Sequence, residues 1–109
     1  MAQFDVHRNK GALRDSIPFV VVVQSAQFDR YRRRVVVPLV RQSLLPRDTP
    51  TVGARMNPAF VVDGVPVVLH PLDMVSVALD QLGDAIGSLE QEGQVIADAL
   101  DELLTRTWG

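Results

Sequence analysis

The hydrophobic period of the sequence changes once, after residues 82–83, and this change restricts the possible folds most strongly. Before it, short apolar runs follow the period of two that is typical of β-strands. After it, apolar residues recur at helical spacing, namely Ile86, Leu89, Ile96, Leu100 and Leu103. Ser88, with Gln91 three residues on, has the pattern of a helix N-cap. We therefore predict strands within residues 2–80 and one helix over about residues 88–106.

Three strands are predicted in the first part of the chain. Residues 3–7 alternate between apolar and polar, which is typical of a half-buried strand. Residues 19–24 include four consecutive valines, so both faces should be buried, one by the core and one by another element or another chain. Residues 35–40 contain Pro38, which cannot donate a ladder hydrogen bond and therefore predicts an edge strand or a bulge.

A hairpin and a last strand complete the predicted β part. The turn residues Asp63 and Gly64 separate the apolar runs Ala59–Val62 and Val65–Leu69, and Asp-Gly in this setting is the strongest short-range hairpin signal. Residues 74–79 alternate again and are predicted as the last strand. A chain of 109 residues is long enough for one core. We therefore predict that residues 1–109 form a single domain, mainly β with a C-terminal α-helix.

The inventory of catalytic groups is small. The chain has no cysteine and two histidines, His7 on a predicted strand and His70 beside a proline. It has no glycine-rich phosphate loop, no zinc-binding histidine pair on a helix and no nucleophile elbow. We therefore expect a protein that acts by binding, with no catalytic residue, no metal and no cofactor. The polar N-terminus and the lack of an apolar run of about 18 residues favour the cytoplasm.

Four arginines lie close together in the sequence, at Arg30, Arg32, Arg33 and Arg34. They are compatible with a phosphate-binding patch or with a solvated loop, and the net charge of −2 favours the solvated loop. Phe28 and Tyr31 lie in the same segment. Because exposed aromatic side chains often mark contact sites, this segment is a candidate contact surface.

The order and spacing of several segments resemble those of the CcdB family. CcdB is the toxin of the plasmid-type CcdA/CcdB toxin–antitoxin pairs. The segments cover nearly the whole chain and are Gln3-Phe4-Asp5-Val6, Phe19-Val20 with Val23-Gln24-Ser25, Arg33-Arg34-Val35-Val36-Val37-Pro38-Leu39, Asp73-Met74-Val75-Ser76-Val77 and Trp108-Gly109. The resemblance implies an SH3-like barrel, a twisted antiparallel sheet closed by the C-terminal helix, that forms a homodimer. It also implies a toxin, not an enzyme, that binds the A subunit of DNA gyrase and traps the enzyme while its DNA is cleaved.

The same resemblance implies the partners of the chain. A CcdA-like antitoxin would wrap the dimer with its disordered C-terminal segment and release gyrase. The toxin would reach DNA only through the antitoxin complex, which would act as a repressor of their operon in a plasmid-maintenance system. No membrane partner is implied.

The gyrase contact is assigned by the resemblance to five residues, Gln27, Phe28, Leu104, Trp108 and Gly109. Such toxins need the terminal Trp-Gly for poisoning and not for folding. The only tryptophan could fold back onto its own core, but the resemblance favours an outward Trp108, with two copies side by side on one surface of the dimer. The chain departs from the family pattern in three ways: Thr107 replaces an apolar residue, Leu104 replaces a polar one, and no isoleucine follows Gly109.

Two alternatives remain open. A relative that has lost toxicity would only bind an antitoxin or regulate its operon, and Thr107 and the missing isoleucine motivate this hypothesis. A ribonuclease would resemble the MazF/Kid mRNA interferases, which share the CcdB fold. Residues 30–34 could supply positive charge for RNA, but the sequence offers no paired acid and base to cleave it.

Overall fold

The computed structural model describes residues 2–45 and 54–105 and contains seven strands and one α-helix within them. These elements are β1 (Asp5–Asn9), β2 (Phe19–Val22), β3 (Arg33–Arg41), β4 (Ala59–Val62), β5 (Val65–Leu69), β6 (Val75–Ala78), β7 (Leu82–Ser88) and α1 (Gly93–Leu104). The predicted fold class, mainly β with a C-terminal helix, is confirmed. The predicted hairpin is β4–β5, and its turn residues Asp63 and Gly64 both have a positive φ, of 50° and 77°.

The strands form one antiparallel sheet that branches at β3. The order of neighbours is β4-β5-β3-β2-β1-β7, and β6 also pairs with β3. β2 lies along one side of β3. On the other side, residues 33–36 of β3 pair with β6 and residues 39–41 pair with β5. One long strand therefore joins both halves of the sheet.

Pro38 lies inside this central strand, so the predicted edge strand or bulge is wrong. It faces Val20 of β2, and on its other side it lies between the segments that pair with β6 and β5. Its carbonyl oxygen accepts a hydrogen bond from the His70 N–H at 3.0 Å. Because β3 changes partners here, no ladder donor is required, and a proline fits within the sheet.

β7 corrects the predicted boundary between strands and helix. It pairs with β1, so residues 74–79 do not contain the last strand, and α1 begins at Gly93 rather than near Ser88. The Ser88 hydroxyl oxygen accepts a hydrogen bond from the Glu90 N–H at 3.0 Å, which orders a 3₁₀ turn ahead of the helix. The long-range pairing with β1 overrides the local helical spacing. The described helix ends at Leu104, and the predicted end at residue 106 lies outside the described residues.

One face of the sheet and the inner face of α1 enclose the main core. Its buried members include Val6, Phe19, Val21, Val37, Leu39, Val67, Leu69, Ile96 and Ala99. Removal of this aliphatic surface from water is the main favourable contribution to folding. The opposite face of β2 and β3 carries a second, smaller cluster of Val20, Val22 and Val36, against which Ile17, Val77 and Leu82 pack. Burial of both faces of β2 is therefore confirmed.

Candidate functional site

The β2–β3 loop, residues 23–32, carries two of the five predicted site residues, Gln27 and Phe28. Both lie in the 3₁₀ turn Ala26–Phe28. The turn begins at Ser25, whose hydroxyl oxygen accepts a hydrogen bond from the Gln27 N–H at 3.4 Å. Serine is a favoured residue at such a position because its side chain pairs with an otherwise free N–H group. The local sequence therefore orders the part of the loop that presents Gln27 and Phe28.

Arg34 lies beneath the β2–β3 loop and holds its backbone. Only 3% of this residue is exposed. Its Nη2 donates to the carbonyl oxygen of Asp29 at 2.6 Å, and its Nη1 donates to the carbonyl oxygens of Tyr31 and of Arg33, the latter at 2.9 Å. Its Nε lies 3.8 Å from a carboxylate oxygen of Asp29. The interpretation of the arginine cluster as a solvated loop is therefore wrong for Arg34, since a buried charge is stable only with such partners.

Arg33 and Gln24 fix the ends of the loop. Arg33 donates from Nε to the Ser76 hydroxyl at 2.8 Å and from Nη2 to the Ser76 carbonyl at 2.7 Å, which ties the end of the loop to β6. The Gln24 side-chain oxygen accepts from the Val35 N–H at 3.0 Å, and its Nε2 donates to the Arg33 carbonyl at 3.4 Å. The loop backbone is thus held at both ends by these residues and in the middle by Arg34.

Two aromatic side chains project from this anchored backbone. Phe28 is 44% exposed and Tyr31 is 57% exposed. Their ring centroids lie 6.2 Å apart with an angle of 42° between the ring planes. Aromatic side chains that are already ordered lose little conformational entropy when a partner covers them. The exposure predicted for Phe28 is present, and its role in contacting a partner remains a prediction.

Leu104 lies on a different element, at the last position of α1, and is 64% exposed. Arg55 lies beside the C-terminal half of this helix, with its guanidinium 3.2 Å from Glu102 and 3.7 Å from Asp98. Trp108 and Gly109 lie outside the described residues, as does the predicted pair of tryptophans on a dimer surface. Gln27 and Phe28 therefore share one turn, and Leu104 lies on another element.

The two histidines do not form an acid–base pair. His7 is 6% exposed within β1, and its Nδ1 lies 3.0 Å from the Gly83 carbonyl oxygen of β7. This burial corrects the prediction that placed His7 on the polar face of the first strand. His70 follows β5, and its Nδ1 lies 3.4 Å from a carboxylate oxygen of Asp73. Among residues 2–45 and 54–105, no group of three acidic or histidine side chains is placed to hold a metal ion.

An apolar groove of about 240 Å³ lies over the smaller hydrophobic cluster. We call it the second-face groove; it is lined by Arg8, Asn9, Gly11, Ala12, Leu13, Ile17, Val20, Val36, Pro38, Val75, Val77, Gln81 and Leu82. Leu13 is 64% exposed at its margin. Lys10 and Arg14, together with Arg8 and one carboxylate, Asp84, line an adjoining depression, so more cationic than anionic groups border the apolar surface. This groove was not predicted from the sequence, although the four consecutive valines at residues 20–23 indicated that a second apolar face exists.

The family model described as "CcdB protein" matches residues 3–106 of the sequence. The chain belongs to the CcdB family. It is thus a toxin of the toxin–antitoxin class, and the resemblance inferred from the sequence is confirmed. No curated protein matches the sequence. None of the helices among the described residues is long and apolar enough to span a membrane.

Three solved structures with a similar fold come from mycobacteria. This CcdB-family chain is similar to "Endoribonuclease in complex with its cognate antitoxin from Mycobacterial species", with a TM-score of 0.74 and 17% identity over 100% of this chain and 99% of the other. It is also similar to "Mycobacterium tuberculosis toxin MazF-mt6", with a TM-score of 0.71 and 14% identity over 95% and 99% of the two chains. A third structure, "Endoribonuclease from Mycobacterial species", has a TM-score of 0.72 and 18% identity over 100% and 95%. At these identities the likeness concerns the fold alone.

Proposed function

We propose that this CcdB-family protein poisons DNA gyrase by binding the gyrase A subunit, thereby trapping the enzyme–DNA cleavage complex. The observation that supports it most is the family match over residues 3–106, combined with the exposure of Phe28 on an anchored loop. In this proposal Gln27, Phe28 and Leu104 contact gyrase together with the terminal residues Trp108 and Gly109. Of these residues we expect Trp108 to contribute most to binding, because tryptophan is strongly enriched among the residues that dominate interface energy.

Trapping requires binding energy and no bond chemistry, so we propose that the protein is not an enzyme. A ligand that binds the DNA-cleaved conformation of gyrase more tightly than the intact one shifts the population toward cleavage. A homodimer would present two copies of the loop and of the tail to a twofold-symmetric target, so that both copies could bind at once. The β2–β3 loop suits this role because Arg34 has already fixed its backbone.

We further propose a CcdA-like antitoxin that neutralises the toxin in the cytoplasm and, as the toxin–antitoxin complex, binds DNA and represses their operon in a plasmid-maintenance module. One structure of similar fold is an endoribonuclease solved with its cognate antitoxin. The second-face groove suits an extended antitoxin segment with aliphatic and acidic side chains, because its apolar floor is bordered by Arg8, Lys10 and Arg14.

A growth experiment tests the poisoning proposal. Expression of the full chain in a bacterium with sensitive gyrase should arrest growth, and removal of Trp108 and Gly109 or the change Phe28→Ala should relieve the arrest. Leu44→Ala is the matched control, because Leu44 is 58% exposed outside the proposed contact. Growth that is unimpaired by the full chain would contradict poisoning and would favour a relative that only binds antitoxin or regulates its operon.

A ribonuclease of the MazF type is the second candidate, because the similar structures include endoribonucleases. Cleavage of RNA without a metal needs an acid and a base near the 2′-hydroxyl. His7 is buried against β7 and His70 lies beside Asp73 at the end of β5, which disfavours this reaction. Incubation of a long RNA with a large excess of the protein decides the matter, since intact RNA would exclude the second candidate.

A further inference from the structure

The β2–β3 loop concentrates positive charge in a chain whose net charge is negative. Residues 29–34, which span the end of the loop and the start of β3, hold four arginines and one aspartate, whereas the whole chain has a net charge of −2. Arg34 is buried and Arg33 is bonded to Ser76, but Arg30 and Arg32 are exposed on the two sides of Tyr31. No acidic side chain within residues 2–45 or 54–105 forms an ion pair with either of them. Two cationic groups are therefore available to an anionic partner.

The two aromatic rings of the loop are available beside these cations. Neither Phe28 nor Tyr31 packs into either hydrophobic cluster, and each has about half of its surface exposed. The rings are tilted by 42°, so they cannot clamp one flat group between parallel faces. Each ring instead offers its own outer face for stacking.

The anchoring of the loop argues that this surface is built for contact. A loop that only connects two strands does not need a buried guanidinium bonded to two of its carbonyl groups and to the first carbonyl group of β3. The contacts of Arg34 keep the segment around Tyr31 in one conformation. A partner that covers the two rings therefore does not have to order the backbone, and this increases affinity.

We propose that Phe28, Tyr31, Arg30 and Arg32 bind single-stranded nucleic acid, with one unpaired base stacked on each ring and the phosphates contacted by the two arginines. Sites for single strands combine aromatic platforms with cationic side chains in this way. Protein interfaces are also enriched in tyrosine and arginine, so an acidic peptide is included as a competitor in the test. A duplex is a poorer match, because its paired bases do not expose their faces. The proposal does not depend on gyrase poisoning, although it uses Phe28 for a second purpose.

Fluorescence anisotropy with a labelled oligothymidylate of about 12 nucleotides tests the proposal. Tyr31→Ala should weaken binding by about fivefold or more, and Tyr31→Phe should retain it, because stacking needs the ring and not the hydroxyl. Arg30→Ala combined with Arg32→Ala should lower the slope of log affinity against log salt by about 1.4 between about 50 and about 200 mM salt, since each lost phosphate contact contributes about 0.7.

The matched control removes the same charge from another surface. Lys10→Ala combined with Arg14→Ala removes two exposed cationic side chains that lie outside the loop. This double variant should leave the slope of log affinity against log salt unchanged. Circular dichroism and urea unfolding of each variant confirm that the fold is kept. A duplex of the same sequence and a polyglutamate peptide should both bind at least tenfold more weakly than the single strand.

Several results would overturn the proposal. These are no binding of the single strand by the unmodified protein at about 50 mM salt, an equal loss in the loop and control double variants, or unchanged binding by Tyr31→Ala. Polyglutamate that binds as tightly as the oligonucleotide would point to an acidic protein instead. Binding of the Tyr31→Ala variant to gyrase is measured separately, so failure of either proposal is visible without the other.

Discussion

The β2–β3 loop and the second-face groove both expose apolar side chains, but for different structural reasons. In the loop, polar contacts beneath the backbone hold Phe28 and Tyr31 outward, and the main contributor is the guanidinium of Arg34. In the groove, apolar residues are exposed because no helix of the described residues covers that face of β2 and β3, and Leu13 remains at its margin.

The two surfaces should therefore respond differently to mutation. The loop depends on a few buried hydrogen bonds, which can be lost all at once when one side chain is changed. The groove depends on the pairing of whole strands, so single exposed side chains can be removed there with little effect on folding. The two surfaces are therefore suited to two different partners, gyrase for the loop and an antitoxin for the groove in our proposal.

The largest effect is expected from Arg34→Met. The change leaves the carbonyl groups of Asp29, Tyr31 and Arg33 without their donor, and we expect the free energy of unfolding to fall by about 3 kcal/mol. Urea unfolding measures this. Arg33→Met is the control, because Arg33 is exposed, and should cost at most about 1 kcal/mol. Equal costs for the two variants would show that Arg34 does not anchor the loop.

A smaller effect is expected at the β1–β7 pair beside the groove. Gly83→Ala places a Cβ 2.6 Å from the Arg8 carbonyl oxygen, and we expect a loss of about 2 kcal/mol in the free energy of unfolding. Gly87→Ala in the same strand meets nothing within 4 Å and should be neutral to within about 0.5 kcal/mol. Thermal unfolding of both variants compares them, and similar losses would refute the close packing described for β7.

Substitution of Leu104 or of Leu13 tests whether gyrase and the antitoxin bind different surfaces. Both are 64% exposed, so neither change to alanine should alter the free energy of unfolding by more than about 0.5 kcal/mol. We expect Leu104→Ala to weaken gyrase binding by about tenfold and to spare the antitoxin, and Leu13→Ala to do the reverse. Titration calorimetry with each partner measures both affinities. If each change affected both partners equally, the assignment of separate surfaces would be wrong.

The smallest effect is expected from Asp63→Asn. Arg8 and Asp63 lie 3.5 Å apart, but both side chains are more than half exposed, and such surface pairs contribute little. Asparagine also tolerates the positive φ at this turn position. We expect the free energy of unfolding to change by less than about 0.5 kcal/mol while Arg8 remains available at the groove. A larger loss in urea unfolding would show that Arg8 is committed to the hairpin.

Much of the β architecture could be predicted from the sequence because its signals are local. The Asp63-Gly64 turn and the four consecutive valines at residues 20–23 each indicate their structure within a few residues. β7 could not be predicted in this way. Its segment has two glycines and one large apolar residue in mid-strand, Ile86, and it forms a strand because β1 pairs with it from the other end of the chain. Pro38 was misplaced for a related reason, since only the topology shows that β3 changes partners there.

The candidate site was predictable in part. The exposure of Phe28 follows from its place in a polar loop, whereas the role of Arg34 depends on three carbonyl groups that converge only in the folded loop. In the sequence, Arg34 could not be distinguished from Arg32 and Arg33, which are exposed. The burial of His7 was missed for a similar reason. The alternating pattern of the first strand placed His7 on the polar face, but β7 covers that position. The tail residues Trp108 and Gly109 rest on the family resemblance.

The most direct test of the central claim is a cleavage assay with gyrase and supercoiled plasmid. The full chain and a chain that ends at Thr107 are added at equal concentration, and the fraction of linear plasmid is measured after the protein is denatured and digested. If the protein traps cleaved DNA through its tail, the full chain produces linear plasmid and the shortened chain does not. No linear plasmid from the full chain, or equal amounts from both chains, would contradict the account.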